Sequence, residues 1–117
     1  MDSIKLLVKK VYIDSSISGL GITNCAYWFN AFTNCTEVSG FENLSGMTNA
    51  TQMFSSCSSL ETIYATSFSN AGLSGSLMSN GCTRLAGGAD GFVPTNTGGA
   101  SVCIDRAGQA GYLTEAT

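Results

Sequence analysis

The sequence predicts an α/β solenoid of about three 25-residue coils, with a small parallel sheet, short helical segments and β caps at both ends. Three observations predict it. Apolar residues recur with a gap-free internal period of 25, strand-like stretches flank the repeated region, and uncharged small polar residues fill the space between apolar positions. With 117 residues the chain suits one domain, divided into an N-terminal cap (1–21), repeats (22–90) and a C-terminal cap (91–117).

The period becomes visible when segments 22–40, 47–65 and 72–90 are written above one another. The aligned columns are Trp28, Met53 and Met78; Phe32, Cys57 and Cys82; Cys35, Leu60 and Leu85; Val38, Ile63 and Gly88. No insertion is needed anywhere in the alignment. A fixed period in the twenties is typical of solenoids, in which each coil buries one narrow apolar stripe against its neighbours.

Within one coil, the spacing of Ala50, Met53, Phe54 and Cys57 predicts a short helical segment. A preceding Asn or Thr, at position 49 or 51, can cap its first turn. The alternation that follows in 63–65 predicts a very short strand.

Stacked coils would align Val38 with Ile63 in a parallel sheet. The outward positions would then be Glu37 and Ser39 on one rung and Thr62 and Tyr64 on the next. The third rung, with Gly87 and Ala89 outward, is expected to be almost bare.

The flanks contain further strand candidates, which we expect to cover the ends of the repeats. They are 4–6, 11–13, 102–104 and 112–113, and glycines such as Gly19, Gly21 and Gly108 mark turns between them.

Composition excludes several classes of partner. Five Lys and Arg against eight Asp and Glu give a net charge of −3, which leaves no basic stripe for nucleic acid. Apolar runs are too short to insert into a membrane, and the start of the chain lacks the pattern of a secretory signal.

Catalysis and cofactor binding are not expected either. The sequence has no His, so a Ser–His or Cys–His nucleophile pair cannot form. Glu37 and Glu61 lie one register step apart and should diverge rather than act as a carboxylate pair. No phosphate-binding glycine motif occurs, and we predict neither a catalytic residue nor a bound cofactor.

The five cysteines form no C-x-x-C pair, so neither a zinc site nor a regular disulfide framework is expected. Cys57 and Cys82 share a column. In neighbouring parallel coils their Cβ vectors would point the same way, which favours a ladder of buried thiols over a disulfide. Cys25 and Cys103 have no assigned place.

The stretch 47–63, MTNATQMFSSCSSLETI, resembles the repeat of the BspA-like leucine-rich-repeat surface proteins. Both ends are similar as well: 11–16 (VYIDSS) followed by 27–29 (YWF) resembles the family's opening, and 85–88 (LAGG), 104–105 (ID) and 111–114 (GYLT) resemble its closing segment. Segment 40–44 (GFENL) is similar to the family's first full coil. The resemblance covers nearly the whole chain. Family members usually have many coils and often follow a signal peptide. Similar short domains also look like parts of bacteriophage tail or capsid proteins.

The resemblance implies a non-catalytic protein- or glycan-binding module on a bacterial surface or phage particle. The alternative is a structural subunit of a virion, assembled as a homo-oligomer or with virion partners. The candidate binding residues are Glu37, Ser39, Thr62 and Tyr64 on the sheet, together with Tyr27, whose column tolerates polar residues.

Overall fold

The computed structural model describes residues 7–44, 46–68, 82, 84–87, 111 and 113–116. Four strands form one parallel sheet in chain order: β1 (Lys10–Tyr12), β2 (Glu37–Ser39), β3 (Thr62–Ala65) and β4 (Leu113–Glu115). Because parallel neighbours cannot be joined by a hairpin, the chain makes a crossover between each pair.

The register of the sheet places apolar side chains in one row. Val11 pairs with Val38, Val38 with Ile63, and Ile63 with Leu113. Val38, Ile63 and Leu113 are each no more than 1% exposed, so the row forms one wall of the core. The predicted alignment of Val38 with Ile63 is therefore confirmed.

The third rung of the sheet differs from the prediction. Ala86 donates its N–H to the carbonyl of Glu61 at 3.2 Å, which brings the third segment alongside the second just before β3. Gly87 lies outside any strand, however, and Ala89 lies outside the described residues. The strand beside β3 is β4, because Leu113 supplies the inward side chain that a Gly-rich rung lacks.

Each flank contributes a strand, as predicted in outline. β1 falls one residue before the expected 11–13, and Ile13 follows it into the core at 3% exposure. β4 begins at Leu113, within the expected 112–113. The candidates 4–6 and 102–104 lie outside the described residues, as does Gly108.

The helical segment predicted over 50–57 is wrong, because the chain makes successive turns there. The amides of Met53, Ser55 and Cys57 each donate to the carbonyl three residues earlier. Gln52 and Ser56 have left-handed backbones with φ of 52° and 67°. Short 3-10 helices lie elsewhere, at Ser15–Leu20 and Phe41–Leu44.

A ladder between segments explains the turns. In segment 25–31 every second amide donates to segment 49–55 at 2.8–3.1 Å: Cys25 to Asn49, Tyr27 to Thr51, Phe29 to Met53 and Ala31 to Ser55. Beyond its first turn, an α-helix would use every amide internally. Alternating turns release every second amide, so that both sets of hydrogen bonds form.

Asparagine starts each of these segments. The side-chain oxygen of Asn24 accepts from the amide of Ala26 at 3.0 Å, and that of Asn49 accepts from Thr51 at 2.9 Å. The two asparagines also form a parallel bridge. Asn49 thus acts as the predicted capping residue, although it caps a turn instead of a helix.

A row of phenylalanine rings runs through the core. Phe29 and Phe54 stack with ring centroids 5.5 Å apart, and Phe41 lies 6.1 Å from Phe54 and 5.0 Å from Phe68. Phe41 and Phe54 are fully buried. This row of rings joins residues that are far apart in the chain, so it holds the segments together.

Candidate ligand-binding face of the sheet

The outward side of strands β2 to β4 carries polar side chains in register. Glu37 pairs with Thr62, and Tyr64 pairs with Thr114. Ser39 lies two residues after Glu37 on the same side, since side chains alternate along a strand. We call Glu37, Ser39, Thr62, Tyr64 and Thr114 the sheet face; all five are half-buried.

The structure thus brings together four of the five candidate binding residues. Glu37, Ser39, Thr62 and Tyr64 lie on neighbouring strands, which are about 4.8 Å apart in a sheet. Tyr27 is the exception. It is 55% exposed but lies in the first turn segment, outside the sheet, with a left-handed backbone.

An open depression of about 570 Å³ lies at the β3–β4 end of the sheet face. The described residues that line it are Glu61, Thr62, Tyr64, Arg84, Ala86, Gly87 and Thr114. Ala86 and Gly87 have little or no side chain, which leaves the space above the strands open. In the sequence, the small residues expected on the third rung are the feature from which this opening could have been predicted.

Three residues of the depression were missed by sequence reasoning. Thr114 was missed because nothing in the sequence shows that β4 pairs with β3. Arg84 and Glu61 form an ion pair at 3.9 Å and are 66% and 57% exposed. An exposed pair of this kind contributes little to stability, so both groups are accessible to a ligand.

Apart from the Glu61–Arg84 pair, the described residues that line the depression are uncharged. Thr62, Tyr64 and Thr114 supply three hydroxyls, each able to donate and to accept a hydrogen bond. Tyr64 adds an aromatic ring with an apolar face. The arrangement can therefore bind a polar, uncharged group by hydrogen bonds and by contact with a ring.

Four cysteines of the core are free, buried thiols: Cys25, Cys35, Cys57 and Cys82. The Cys57 thiol donates to the Phe29 carbonyl and the Cys82 thiol to the Phe54 carbonyl, each at 3.0 Å. The predicted thiol ladder is confirmed for this pair, whereas Cys103 lies outside the described residues.

Burial and hydrogen bonding together determine the acidity of these thiols, and the hydrogen bond with Cys57 lowers the pKa of Cys82. Burial raises the pKa of Cys25 to about 11. The hydrogen bond with the Cys82 side chain, together with burial, raises the pKa of Cys57. Because the thiolate is the reactive form, Cys25 and Cys57 should be unreactive near neutral pH.

We predict that a Cys103→Ser variant reacts slowly with a chromogenic aromatic disulfide at about pH 8 while folded. In denaturant the four buried thiols should react at once. The absorbance of the released thiolate measures both rates. Rapid reaction of two or more thiols in the folded protein would contradict their burial.

Within the described ranges no group of three or more His, Cys, Asp or Glu side chains is placed to hold a metal ion. The described part of the chain also contains no helix with the length and apolarity needed to span a membrane. No protein-family model matches the chain, and no curated protein or solved structure shows significant similarity to it. Function is therefore inferred from the sheet face and the depression.

Proposed function

We propose that the chain is a short leucine-rich-repeat solenoid of the BspA-like kind that acts as a non-catalytic binding module on a bacterial surface or phage particle. The spacing of equivalent backbone features supports the solenoid. Left-handed residues occur at Tyr27 and Gln52, and the asparagine corners at Asn24 and Asn49, in both cases 25 residues apart. The Glu61 amide bonds to the Thr36 carbonyl at the same interval.

The observation that carries the binding role is the sheet face itself. Its hydroxyls and its tyrosine ring lie in register beside an open depression, on the side of the sheet opposite the buried row. Half-buried side chains on paired strands are held in place before a ligand arrives, so little conformational entropy is lost on binding.

The absence of His from the sequence supports a non-catalytic role. The register of neighbouring segments also supports a non-catalytic role. The Glu61 amide donates to the Thr36 carbonyl at 2.9 Å, which sets Glu61 one step away from Glu37. Two carboxylates displaced in this way do not face each other across one reaction centre.

An array of purified surface proteins and glycans, probed with the labelled full chain, tests the proposal. We expect the double variant Glu37→Lys/Tyr64→Ala to lose the binding that the native chain shows. Tyr27→Ala is the matched control, because it removes an exposed tyrosine outside the sheet. Equal binding by both variants, with unchanged circular dichroism, would exclude the sheet face as the binding surface.

A structural role in a virion is the second candidate, favoured by apolar exposure near β1. Leu7, Tyr12 and Leu20 are 75%, 71% and 69% exposed, and β1 is the outermost strand on its side among the described residues. An unpaired strand edge can pair with another copy. Light scattering after size exclusion would show concentration-dependent oligomers for this role and a monomer for a free-standing binding module.

A further inference from the structure

The depression lies over a strand whose main chain is already paired on both sides. β3 bonds to β2 through Thr62 and Ile63, and to β4 through Ile63 and Tyr64. A peptide that binds by adding a strand needs a free edge, where main-chain groups supply much of the affinity. A ligand above β3 therefore meets the side chains of this strand and not its main-chain hydrogen-bonding groups.

Those side chains match a polyhydroxylated ligand. The hydroxyls of Thr62, Tyr64 and Thr114 each donate and accept, as the hydroxyls of a sugar do. The Tyr64 ring can pack against the apolar C–H face of a sugar ring, since an aromatic side chain combines an apolar body with a polar tip. Peptides offer fewer hydroxyls to satisfy the threonines.

Charge around the depression disfavours anionic ligands. The single described cation on its rim, Arg84, is paired with Glu61. Glu37 lies on the neighbouring strand β2, and the whole chain carries −3. A polyanion needs a surplus of Lys and Arg on the surface that contacts it, and none exists among the described residues here.

The size and openness of the depression indicate how much ligand it contacts. A volume of about 570 Å³ falls within the ~300–1,000 Å³ of small-ligand sites. Such sites usually enclose most of their ligand, whereas this one is open. An open site suits one or two units of a longer molecule, most of which stays in solvent.

We propose that the depression binds a neutral glycan, with a sugar ring over Tyr64 and its hydroxyls bonded to Thr62, Thr114 and the Arg84–Glu61 pair. This inference rests on the proposed binding function and deepens it. It commits to a neutral polysaccharide over a protein, because the site offers hydroxyls and a ring above β3, whose main chain is already paired on both sides.

Affinity gel electrophoresis of the full chain with soluble neutral polysaccharides (a mannan, a β-glucan and a galactan) tests the proposal. Retardation by at least one of them is expected. Tyr64→Ala should raise the dissociation constant about tenfold or more, since both the ring contact and a hydrogen bond are lost. Tyr64→Phe should keep most of the affinity, and Tyr27→Ala should keep all of it.

The outcomes distinguish the glycan site from the proposed binding function. Retardation that Tyr64→Ala abolishes and Tyr27→Ala leaves intact supports the glycan site. If a purified protein binds through Tyr64 while no neutral polysaccharide does, the glycan proposal is overturned and the binding function stands. Preference for an anionic polygalacturonate also overturns it. If neither class binds, both proposals fail; thermal unfolding of each variant verifies that it is folded.

Discussion

Replacing Gly40 by alanine is expected to lower the free energy of unfolding by about 2–6 kcal/mol, the sum of left-handed strain and steric overlap. Gly40 follows β2 with φ of 81°. A Cβ there would overlap the carbonyl oxygen of Ile13 and lie 3.0 Å from its carbonyl carbon. Ile13 cannot easily retreat, because its amide donates to Ser39 at 2.9 Å.

Gly21→Ala is the matched control for this prediction. Gly21 has a similar φ of 66°, yet an added Cβ would meet nothing within 4 Å. Only the left-handed strain remains, about 1–2 kcal/mol. Chemical denaturation of both variants measures the difference, and equal losses would show that the contact with Ile13 is unimportant.

Phe54→Ala is expected to destabilise the fold by about 3–5 kcal/mol, the usual range for removing a buried phenylalanine. The ring is fully buried and lies between Phe29 and Phe41, which belong to different segments. Its removal opens a cavity at the centre of the aromatic row. Urea unfolding followed by tryptophan fluorescence reports the loss, because Trp28 packs against the core.

Phe54→Leu should lower the free energy of unfolding much less, since it keeps most of the apolar volume. Phe29→Ala should also lose less than Phe54→Ala, because Phe29 is only partly buried. Should all three variants unfold at the same denaturant concentration, Phe54 would not hold the central place that its burial indicates.

The predictable part of the fold is the part that depends on inward apolar positions. Val38 and Ile63 occupy the same column of the sequence and pair in the sheet. Since a one-residue slip would expose both, their pattern determines the register. The same alternation placed Glu37, Ser39, Thr62 and Tyr64 outward, so four site residues followed from it.

The turns at 50–57 were not predictable from spacing. Ala50, Met53, Phe54 and Cys57 would line one face of a helix, and they are also buried by the turns found here. The choice depends on hydrogen bonds to a segment about 24 residues earlier, such as that from Phe29 to Met53. Gln52 and Ser56 have left-handed backbones, and neither is glycine, the residue type that would have indicated this conformation in the sequence.

The missed parts of the site share one cause. Thr114 reaches the depression because β4 pairs with β3 from 50 residues away, and no repeated column marks that partnership. Arg84 and Glu61 meet because the third segment lies against the second through Ala86. Tyr27 was grouped with the sheet face only because it was expected to be exposed, which does not determine its location.

The pairing of β3 with β4 affects how the protein is made. On the ribosome, Ile63 emerges well before Leu113, the residue that completes its row. Until then the nascent chain carries a β3 edge open to other extended chains. Synthesis adds about 5–20 residues per second, so that interval lasts several seconds. During it, a chaperone that binds extended apolar segments has its best opportunity to act.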